Sequence, residues 1–408
     1  MSLIVQKFGG SSVADADRIR NVARIITETY QKGNSVVVVL SAQGDTTDDL
    51  IEKAKEINPH ASKREMDMLL ATGEQISIAL CAMCIEGMGY QVISLTGWQA
   101  GMLTDSAYSS ARIKRIQPER VQKELDKKKI VLVAGFQGIN KYDDVTTLGR
   151  GGSDTSAVAL AAALHADLCQ IYTDVDGVYT ADPRCVKGAR KLDEITFDEM
   201  LELASLGAQV LHNRSVEMAK RYNVNMEVIS SFSGNPGTKV KEVVKTMEKT
   251  HVSGVAKDKN VARLALVGLA DQPGIAFKIF SFLAKEGINV DIILQSIGRD
   301  ESKDISFTVA RNDAEEAKRV MEENKESIGF QRVELDDHIA KVSIVGAGMA
   351  NNAGVACKMF EALFSAGINI SMISTSEIKV SVLVDEREAD RAVQAVHDRF
   401  FGEFGSNA

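Results

Sequence analysis

A chain of 408 residues is too long for one ordinary hydrophobic core, so its length predicts two or three domains. Its composition, 45% hydrophobic and 25% charged, is that of a globular protein, and the net charge of −8 argues against nucleic acid as the main partner. The five sparse cysteines, with no signal peptide and no run of about 18 apolar residues, predict a cytoplasmic protein without a membrane partner.

Short apolar runs alternate with helical patterns through the first 230 residues. The runs are mostly β-branched, as in strands buried on both faces of a parallel sheet: Leu3–Gln6, Ser35–Leu40, Gln91–Leu95, Ile130–Ala134 and Cys169–Thr173. Helical patterns lie between them at Asp15–Tyr30, Met66–Glu86 and Asp154–Ala166. The alternation predicts an α/β domain with helices on both faces of a mainly parallel sheet.

The alternation of strand and helix patterns ends at Ser233–Gly237, which has the composition of a turn. A charged stretch, Lys239–Lys249, follows this turn. We therefore predict a first domain over residues 1–235 and a linker over residues 236–260.

The remaining sequence repeats itself at an offset of eighty residues. Nine identities coincide without a gap, among them Gly268/Gly348, Gly274/Gly354, Lys278/Lys358, Gly287/Gly367 and Asn289/Asn369. Two units are too few for a solenoid, so we predict two small α+β domains of the βαββαβ type, at 261–337 and 338–408. A duplication with only a structural purpose remains the alternative.

Three glycine-rich segments stand where strands pass into helices or loops. In Lys7–Val13, Gly9 and Gly10 let backbone N–H groups approach an anion, and Lys7 can stabilise a transferring phosphoryl group. An ordinary βα turn with a surface lysine is the alternative.

The second segment, Gly149–Asp154, combines an arginine, whose planar fork suits a carboxylate, with Asp154 at a helix start. Asp154 can organise the reacting groups, cap the helix, or do both.

The third segment, Thr173–Arg184, mixes acids, Tyr179 and Arg184, and suits a nucleotide as well as a plain polar loop. Ser41–Asp48 and Ala71–Glu74 add hydroxyls and a carboxylate that fit a small polar ligand. The pair Cys81 and Cys84 matches half a zinc site, but we interpret both as core residues and assign no metal ligands.

These segments, in this order, resemble those of the aspartokinases, a family of the amino acid kinase superfamily, and the repeat resembles their paired ACT domains. The resemblance covers essentially the whole chain. It implies phosphorylation of the side-chain carboxylate of L-aspartate by ATP and Mg²⁺, the first step towards lysine, threonine and methionine. It also implies a homodimer or higher oligomer formed through the ACT domains.

The resemblance implies roles for individual residues. Lys7 and Asp154 would be catalytic. Aspartate would be bound by Ser41, Thr47, Glu74 on its amino group and Arg150 on its α-carboxylate. The nucleotide would be bound by Lys7, Phe8, Gly9, Gly10, Thr173, Asp174, Tyr179, Asp182 and Arg184.

Lysine, threonine or both would act as effectors at the ACT domains. The expected effector residues are Asp271, Gly274, Ala276, Asn289, Val290, Asp291 and Gln295 in the first copy and Met349, Asn369, Ile370 and Glu377 in the second.

Some positions depart from the family pattern. Ser11 stands where threonine is common, Gln43 where methionine is frequent, and Gln209 where many relatives carry a lysine near the nucleotide. Met247 lies where some relatives start a separate small subunit, and we expect no fused homoserine dehydrogenase of the kind that some relatives carry. Two alternatives stay open: a kinase of the same superfamily for glutamate, carbamate or a nucleoside monophosphate, and an inactive amino-acid sensor.

Overall fold

The computed structural model describes residues 2–206, 210–242, 252–297, 302–349, 352 and 354–402. Met247 and Gln209, which the sequence analysis singled out, lie outside the described residues. The chain forms two compact units. Unit 1 comprises Met1–Tyr179, Lys191–Ser205 and Gln209–Met247, and unit 2 comprises Thr180–Arg190, Leu206–Ala208 and Glu248–Ala408.

Unit 1 is an α/β unit, as the alternation of apolar runs predicted. Its strands are β1 (Leu3–Phe8), β2 (Ser35–Leu40), β3 (Val92–Leu95), β4 (Met102–Thr104), β5 (Ile113–Ile116), β6 (Ile130–Ala134), β7 (Gln137–Ile139), β8 (Val145–Thr147), β9 (Leu168–Thr173), β10 (Glu194–Thr196), β11 (Met226–Ser230) and β12 (Thr238–Lys241). Its helices are α1 (Ala16–Gln31), α2 (Thr46–Ile57), α3 (Lys63–Leu70), α4 (Thr72–Gly87), α5 (Glu119–Asp126), α6 (Gly152–Ala163), α7 (Phe197–Ser205) and α8 (Asn213–Tyr222).

The main sheet of unit 1 has the strand order β10-β12-β11-β9-β1-β2-β6-β3 within the described residues. Strands β1, β2, β3, β6, β9 and β11 run parallel, with β1 between β2 and β9. Phe8 at the end of β1 is in register with Leu40 and Tyr172, so the carboxyl ends of these strands meet at one edge. A smaller sheet has the order β5-β4-β7-β8.

The central strands are apolar on both faces because helices cover both sides. Val36 to Leu40 are fully buried. On one side, α1 buries Ile19, Val22 and Ile26, which share one helical face, and Asp15 caps the helix by accepting a hydrogen bond from the Arg18 N–H.

The stretch Met66–Glu86, predicted as one helix, is interrupted at Ala71 between α3 and α4. By length and hydropathy, Lys63–Gly87 also passes the test for a membrane-spanning helix, contrary to our expectation, but half of its most apolar window is buried in the protein. Cys81 is buried in the hydrophobic core of unit 1, and the partly buried Cys84 packs against that core, which confirms their interpretation as core residues. Burial raises the pKa of Cys81 to about 12.

Unit 2 contains the two copies of the repeat. Its strands are β13 (Gly254–Asp258), β14 (Ala262–Ala270), β15 (Val290–Ile297), β16 (Ser302–Val309), β17 (Arg332–Asp336), β18 (Ile339–Val345), β19 (Met372–Thr375) and β20 (Lys379–Asp385). Its helices are α9 (Ile275–Lys285), α10 (Ala314–Glu323), α11 (Lys325–Ile328), α12 (Val355–Ser365) and α13 (Ala389–Phe401).

The first copy has the predicted βαββαβ order, with the sheet β15-β16-β14-β17. The second copy has the sheet β13-β18-β20-β19, so its outer strand β13 comes from sequence that precedes the first copy. The predicted linker 236–260 therefore contains two strands, β12 and β13. Val255 and Ala256 of β13 are buried, which explains why this short segment joins a sheet.

Candidate active site

Loops of unit 1 converge at the carboxyl edge of the main sheet. The Ser41 N–H, just after β2, donates to the Phe8 carbonyl at 3.1 Å, and the Gly9 N–H donates to the Tyr172 carbonyl at 3.4 Å. The first and third glycine-rich segments and the Ser41 segment therefore meet, as expected when parallel strands end together.

Lys7 and Asp154 form an ion pair at this edge. Lys7 Nζ lies 2.7 Å from Asp154 Oδ1, and their side chains are only 13% and 12% exposed. Asp154 lies in the first turn of α6, so a helix N-terminus and a lysine both favour negative charge here. The structure thus brings together the two residues expected to be catalytic.

In the Gly9–Gly10 turn, Gly10 leaves no room for a side chain, and Gly9 lies next to Lys7. A Cβ on Gly10 would lie 2.8 Å from the Ala42 carbonyl oxygen, and one on Gly9 would lie 3.5 Å from Lys7 Nζ. The glycines thus let an anion approach the backbone of this turn closely beside Lys7.

Glu74 is a buried carboxylate at the start of α4. It is 3% exposed, and its Oε1 accepts a hydrogen bond from the Ala42 N–H at 3.2 Å. Its buried Oε2 has no hydrogen-bond partner within the described residues. Burial is the main cause that raises the pKa of Glu74, to about 7. An ammonium group placed beside Oε2 would satisfy this carboxylate.

The other residues expected to bind aspartate lie on loops or helix starts of unit 1. Ser41 follows β2, and Thr47 lies in the first turn of α2; both are half-buried. Arg150 is exposed between Gly149 and Gly151, whose φ angles of +75° and +66° need glycine.

The residues expected to bind the nucleotide have varied environments. The Phe8 ring is buried and stacks on Tyr172 with centroids 4.4 Å apart, so only the Phe8 backbone is available to a ligand. Thr173 donates through its hydroxyl to Asp174 at 3.0 Å, and the Tyr179 hydroxyl donates to Asp176 at 3.1 Å.

Asp182 and Arg184 belong to unit 2, where their side chains form an ion pair at 3.0 Å. Their nucleotide role stays a prediction.

The structure places three further residues around Arg150 that the sequence analysis did not single out. His212 packs against Gly151, since a Cβ on that glycine would lie 2.2 Å from its ring. Arg214 and the fully buried Asp67 hydrogen-bond to the backbone on the strand side of the loop. No local signal distinguished Asp67 from the other charged residues of α3.

In the first copy of the repeat, Gly274, Ala276 and Gln295 line a cavity of about 220 Å³ with Lys303. Asp271 forms an ion pair with Lys303 at 2.5 Å. Four of the expected effector residues therefore lie at or beside this cavity: Asp271, Gly274, Ala276 and Gln295.

The remaining expected effector residues lie elsewhere in unit 2. Asn289 is exposed before β15, Val290 begins that strand, and Asp291 pairs with the buried Lys341 of β18 at 2.5 Å. In the second copy Met349 is buried in the core, while Asn369 and Glu377 are exposed and Ile370 is half-buried. Asp291 thus joins the two copies rather than lining the cavity.

A metal ion would find few protein ligands here. Within the described residues, no group of three or more His, Cys, Asp or Glu side chains is placed to hold one. This arrangement fits a Mg²⁺ ion that binds mainly through phosphate oxygens and water, with at most one or two carboxylates.

Comparison with known proteins adds independent findings. Residues 2–230 match the model of the amino acid kinase family, and residues 264–324 and 342–400 match an ACT domain. The chain is 54% identical to the aspartokinase of Mycolicibacterium smegmatis over 405 residues, which are 98% of this chain and 96% of that protein.

Two solved structures of one enzyme are similar to this chain along almost its whole length. The structure of E. coli aspartokinase III in complex with aspartate and ADP (R-state) is 28% identical, with a TM-score of 0.83, and the match covers 98% of this chain and 100% of that one. The complex of that enzyme with lysine and aspartate (T-state) is also 28% identical, with a TM-score of 0.76 over 98% and 99% of the chains.

Proposed function

The chain belongs to the aspartokinase family and phosphorylates aspartate under the control of its ACT domains, and we propose that its product, 4-phospho-L-aspartate, begins lysine, threonine and methionine biosynthesis in the cytoplasm. One observation supports the acceptor most directly. The buried Glu74 carboxylate keeps one oxygen without a partner among the described residues. The α-ammonium group of aspartate is the partner that this oxygen suits.

Aspartate is oriented by groups at both ends of its backbone. Glu74 binds the α-ammonium group, and Arg150 binds the α-carboxylate through its planar fork. Ser41 and Thr47 add hydroxyls for the remaining polar atoms. This arrangement leaves the side-chain carboxylate as the reacting group.

Phosphoryl transfer then needs alignment and charge neutralisation rather than a general base, because the β-carboxylate is already ionised at pH 7. Lys7 stabilises the charge on the transferring phosphoryl group, and the Gly9–Gly10 turn lets the phosphate approach its backbone closely. Asp154 holds the Lys7 ammonium in place through their 2.7 Å ion pair. Such electrostatic and positioning effects account for most of the catalysis in kinases.

ATP is the phosphoryl donor, and E. coli aspartokinase III was solved with ADP. We assign the nucleotide to Phe8 through its backbone, Gly9, Gly10, Thr173, Asp174, Tyr179, Asp182 and Arg184. Mg²⁺ neutralises phosphate charge when it is bound, and Asp154 is the carboxylate beside the Gly9–Gly10 turn that would hold it.

Lysine, threonine or both inhibit the enzyme at the ACT domains. The cavity lined by Gly274, Ala276 and Gln295 supports this proposal, because an amino acid would fit its volume of about 220 Å³. The similar E. coli enzyme was solved with lysine in its T-state. The other effector residues assigned are Asp271, Asn289, Val290, Asp291, Met349, Asn369, Ile370 and Glu377. The ACT domains also form the contacts of a homodimer or higher oligomer.

Aspartate-dependent ADP release tests this function. We expect turnover with L-aspartate, and inhibition by millimolar lysine, threonine or their mixture, a concentration that corresponds to roughly −4 kcal/mol of binding free energy. Glutamate, carbamate and nucleoside monophosphates serve as competing acceptors. Strong turnover with one of these alone would refute the acceptor, absence of all turnover would favour a sensor, and indifference to both amino acids would refute the effectors.

A further inference from the structure

Asp67 of α3 is a fully buried carboxylate, and among the described residues its hydrogen bonds come from Ser109 and Thr147. Its Oδ1 accepts from the Ser109 N–H at 3.0 Å, the Ser109 hydroxyl at 3.2 Å and the Thr147 hydroxyl at 2.8 Å, and its Oδ2 accepts from the N–H groups of Ser109 and Thr147, both at 2.9 Å. No ion pair of the described residues includes Asp67. Burying a carboxylate is costly unless hydrogen bonds replace water, and here neutral donors do so.

Both donors lie beside the loop that carries Arg150. Thr147 ends β8, a few residues before Arg150. Ser109 has a left-handed φ of +66°, and its carbonyl oxygen would be 3.1 Å from a Cβ on Gly149. Asp67 therefore fixes the strand side of the loop and the turn that packs against it.

Arg214 of α8 fixes the same backbone from another direction. Its Nη1 donates to the Leu148 carbonyl at 2.6 Å, and its Nη2 donates to the Ala111 carbonyl at 3.1 Å. The Ala111 N–H in turn donates to the Thr147 carbonyl at 2.9 Å. Hydrogen bonds therefore hold the backbone at the point where the Arg150 loop leaves β8.

Helix α3, which holds Asp67, ends just before α4, which begins with Glu74 in its first turn. Between them, the Ala71 carbonyl accepts a hydrogen bond from Gln137 Nε2 at 2.7 Å. Gly73 packs closely on the Ser41 segment, since a Cβ there would lie 2.8 Å from the Ala42 Cβ. The position of Glu74 at the start of α4 is therefore linked to α3, which holds the Arg150 loop through Asp67.

We propose that Asp67 is a positioning residue that sets the separation of Glu74 and Arg150, and so selects acceptors with an α-amino and an α-carboxylate group. This inference rests on the proposed roles of Glu74 and Arg150. Asp67 itself does not touch the substrate. It acts because a carboxylate bonded to both segments fixes their spacing, and small errors of placement cost much of the rate.

The first test is Asp67→Asn. The amide NH₂ faces N–H and O–H donors where an oxygen accepted them, so the Arg150 loop shifts relative to Glu74. We expect the KM for aspartate to rise about tenfold or more while the KM for ATP stays within about twofold. The KM values come from ADP release with each substrate varied in turn.

A pair of variants at Thr147 keeps the test valid if Asp67→Asn does not fold. Thr147→Val loses the hydroxyl donor and should also raise the KM for aspartate. Thr147→Ser keeps the hydroxyl, so its KM for aspartate should stay near that of the parent enzyme. Glu124→Gln is the matched control, because Glu124 is a buried acid of unit 1, 2% exposed, that pairs with Lys127 and Lys129 of its own region. It should leave both KM values unchanged.

Inhibition by succinate gives a second readout, since succinate lacks the α-amino group. The parent enzyme should bind aspartate much more tightly than succinate, and Asp67→Asn should narrow this difference. Equal rises in the KM values for aspartate and ATP would overturn the inference, as would an unchanged KM for aspartate in Asp67→Asn and Thr147→Val. Glu74→Gln and Arg150→Ala separate the two proposals: if these do not weaken aspartate binding, the proposed site is wrong.

Discussion

At the scale of single residues, Glu74 shows how a buried group reports on its ligand. The protein supplies Oε1 with the Ala42 N–H but leaves Oε2 without a partner among the described residues. Desolvation raises the pKa to about 7 from 4.5, and hydrogen bonds from the backbone of Glu74 and Ala42 offset it only in part. Without substrate, Glu74 thus takes up a proton as the pH falls through about 7, although its ionised carboxylate is the form that binds the ammonium group of aspartate.

The kcat/KM for aspartate should therefore depend on pH through Glu74. The ammonium of aspartate binds the ionised carboxylate, so kcat/KM should fall about tenfold per pH unit below pH 7 and level off above it. Rates at low aspartate concentration between pH 5.5 and 8.5 measure this. Glu74→Gln should raise the KM for aspartate and remove this limb; a limb that persists in the variant would contradict the assignment.

The Glu74 carboxylate also affects the free energy of unfolding, and its effect has the opposite sign to that of an acid in a salt bridge. Because its pKa is raised on folding, its ionisation disfavours the fold. The cost is absent below pH 4.5, where both states are protonated, and grows as the pH rises to about 7. It reaches about 3 kcal/mol above that pH. The ligand-free Glu74→Gln variant should thus match or exceed the parent in stability at pH 8.

Residues at strand ends were predictable from sequence, and Asp67 was not. Lys7 and Ser41 follow apolar runs directly, and parallel strands bring their carboxyl ends together. Asp67 lies within a helical stretch and bonds to Ser109 and Thr147, which are 42 and 80 residues away in sequence. No periodicity encodes such a long-range pairing.

At the scale of elements, the turn before α6 depends on glycine. Gly151 has φ +66°, and a Cβ there would lie 2.2 Å from the His212 ring, which caps α8. The turn therefore packs its backbone directly against a side chain from another helix, and this contact fixes where Arg150 leaves the loop.

Gly151→Ala should be destabilising and should raise the KM for aspartate. The left-handed conformation costs about 1–2 kcal/mol for alanine, and the clash with His212 adds to it. Gly33→Ala is the matched control, because Gly33 has φ +85° with no atom within 4 Å of a Cβ, so it should show the backbone cost alone. Urea unfolding and kinetics compare the two.

A double variant identifies the clash. The partner variant is His212→Gly, because a Cβ on Gly151 would lie 2.3 Å from the His212 Cβ as well as 2.2 Å from its ring. In the His212→Gly background, Gly151→Ala should cost less free energy of unfolding than it costs in the parent. Strictly additive losses would show that His212 does not limit the turn.

Element type was easier to predict than element partners. The strands Ser35–Leu40 and Ile130–Ala134 have the predicted bounds, because buried β-branched runs are unambiguous. The break at Ala71 was missed since no proline marks it and the nearby Gly73 lies inside α4. Gly254–Asp258 was assigned to a linker because nothing local shows that it pairs with β18, which lies beyond a whole ACT copy.

At the scale of the whole molecule, the first 230 residues do not all pack in unit 1. Thr180–Arg190 belongs to unit 2, where the Val255 N–H donates to the Thr180 carbonyl at 2.7 Å. The Thr180 hydroxyl is hydrogen-bonded to His397 of α13 at 2.9 Å. Val186 is 2% exposed in the core of the second ACT copy. A segment proposed to bind the nucleotide is thus built into the regulatory unit.

Val186→Ala should therefore destabilise unit 2 and leave unit 1 unchanged, although Val186 lies within the kinase part of the sequence. Removing buried methyl groups costs about 2 kcal/mol, and the loss should be largest where the cavity forms. Hydrogen exchange measured by mass spectrometry should show weaker protection in α12, α13 and β18. Val158→Ala, at a fully buried position of α6, is the control and should weaken protection in β1, β2 and α6 instead. If Val186→Ala instead loosened the kinase sheet, Thr180–Arg190 would belong with unit 1.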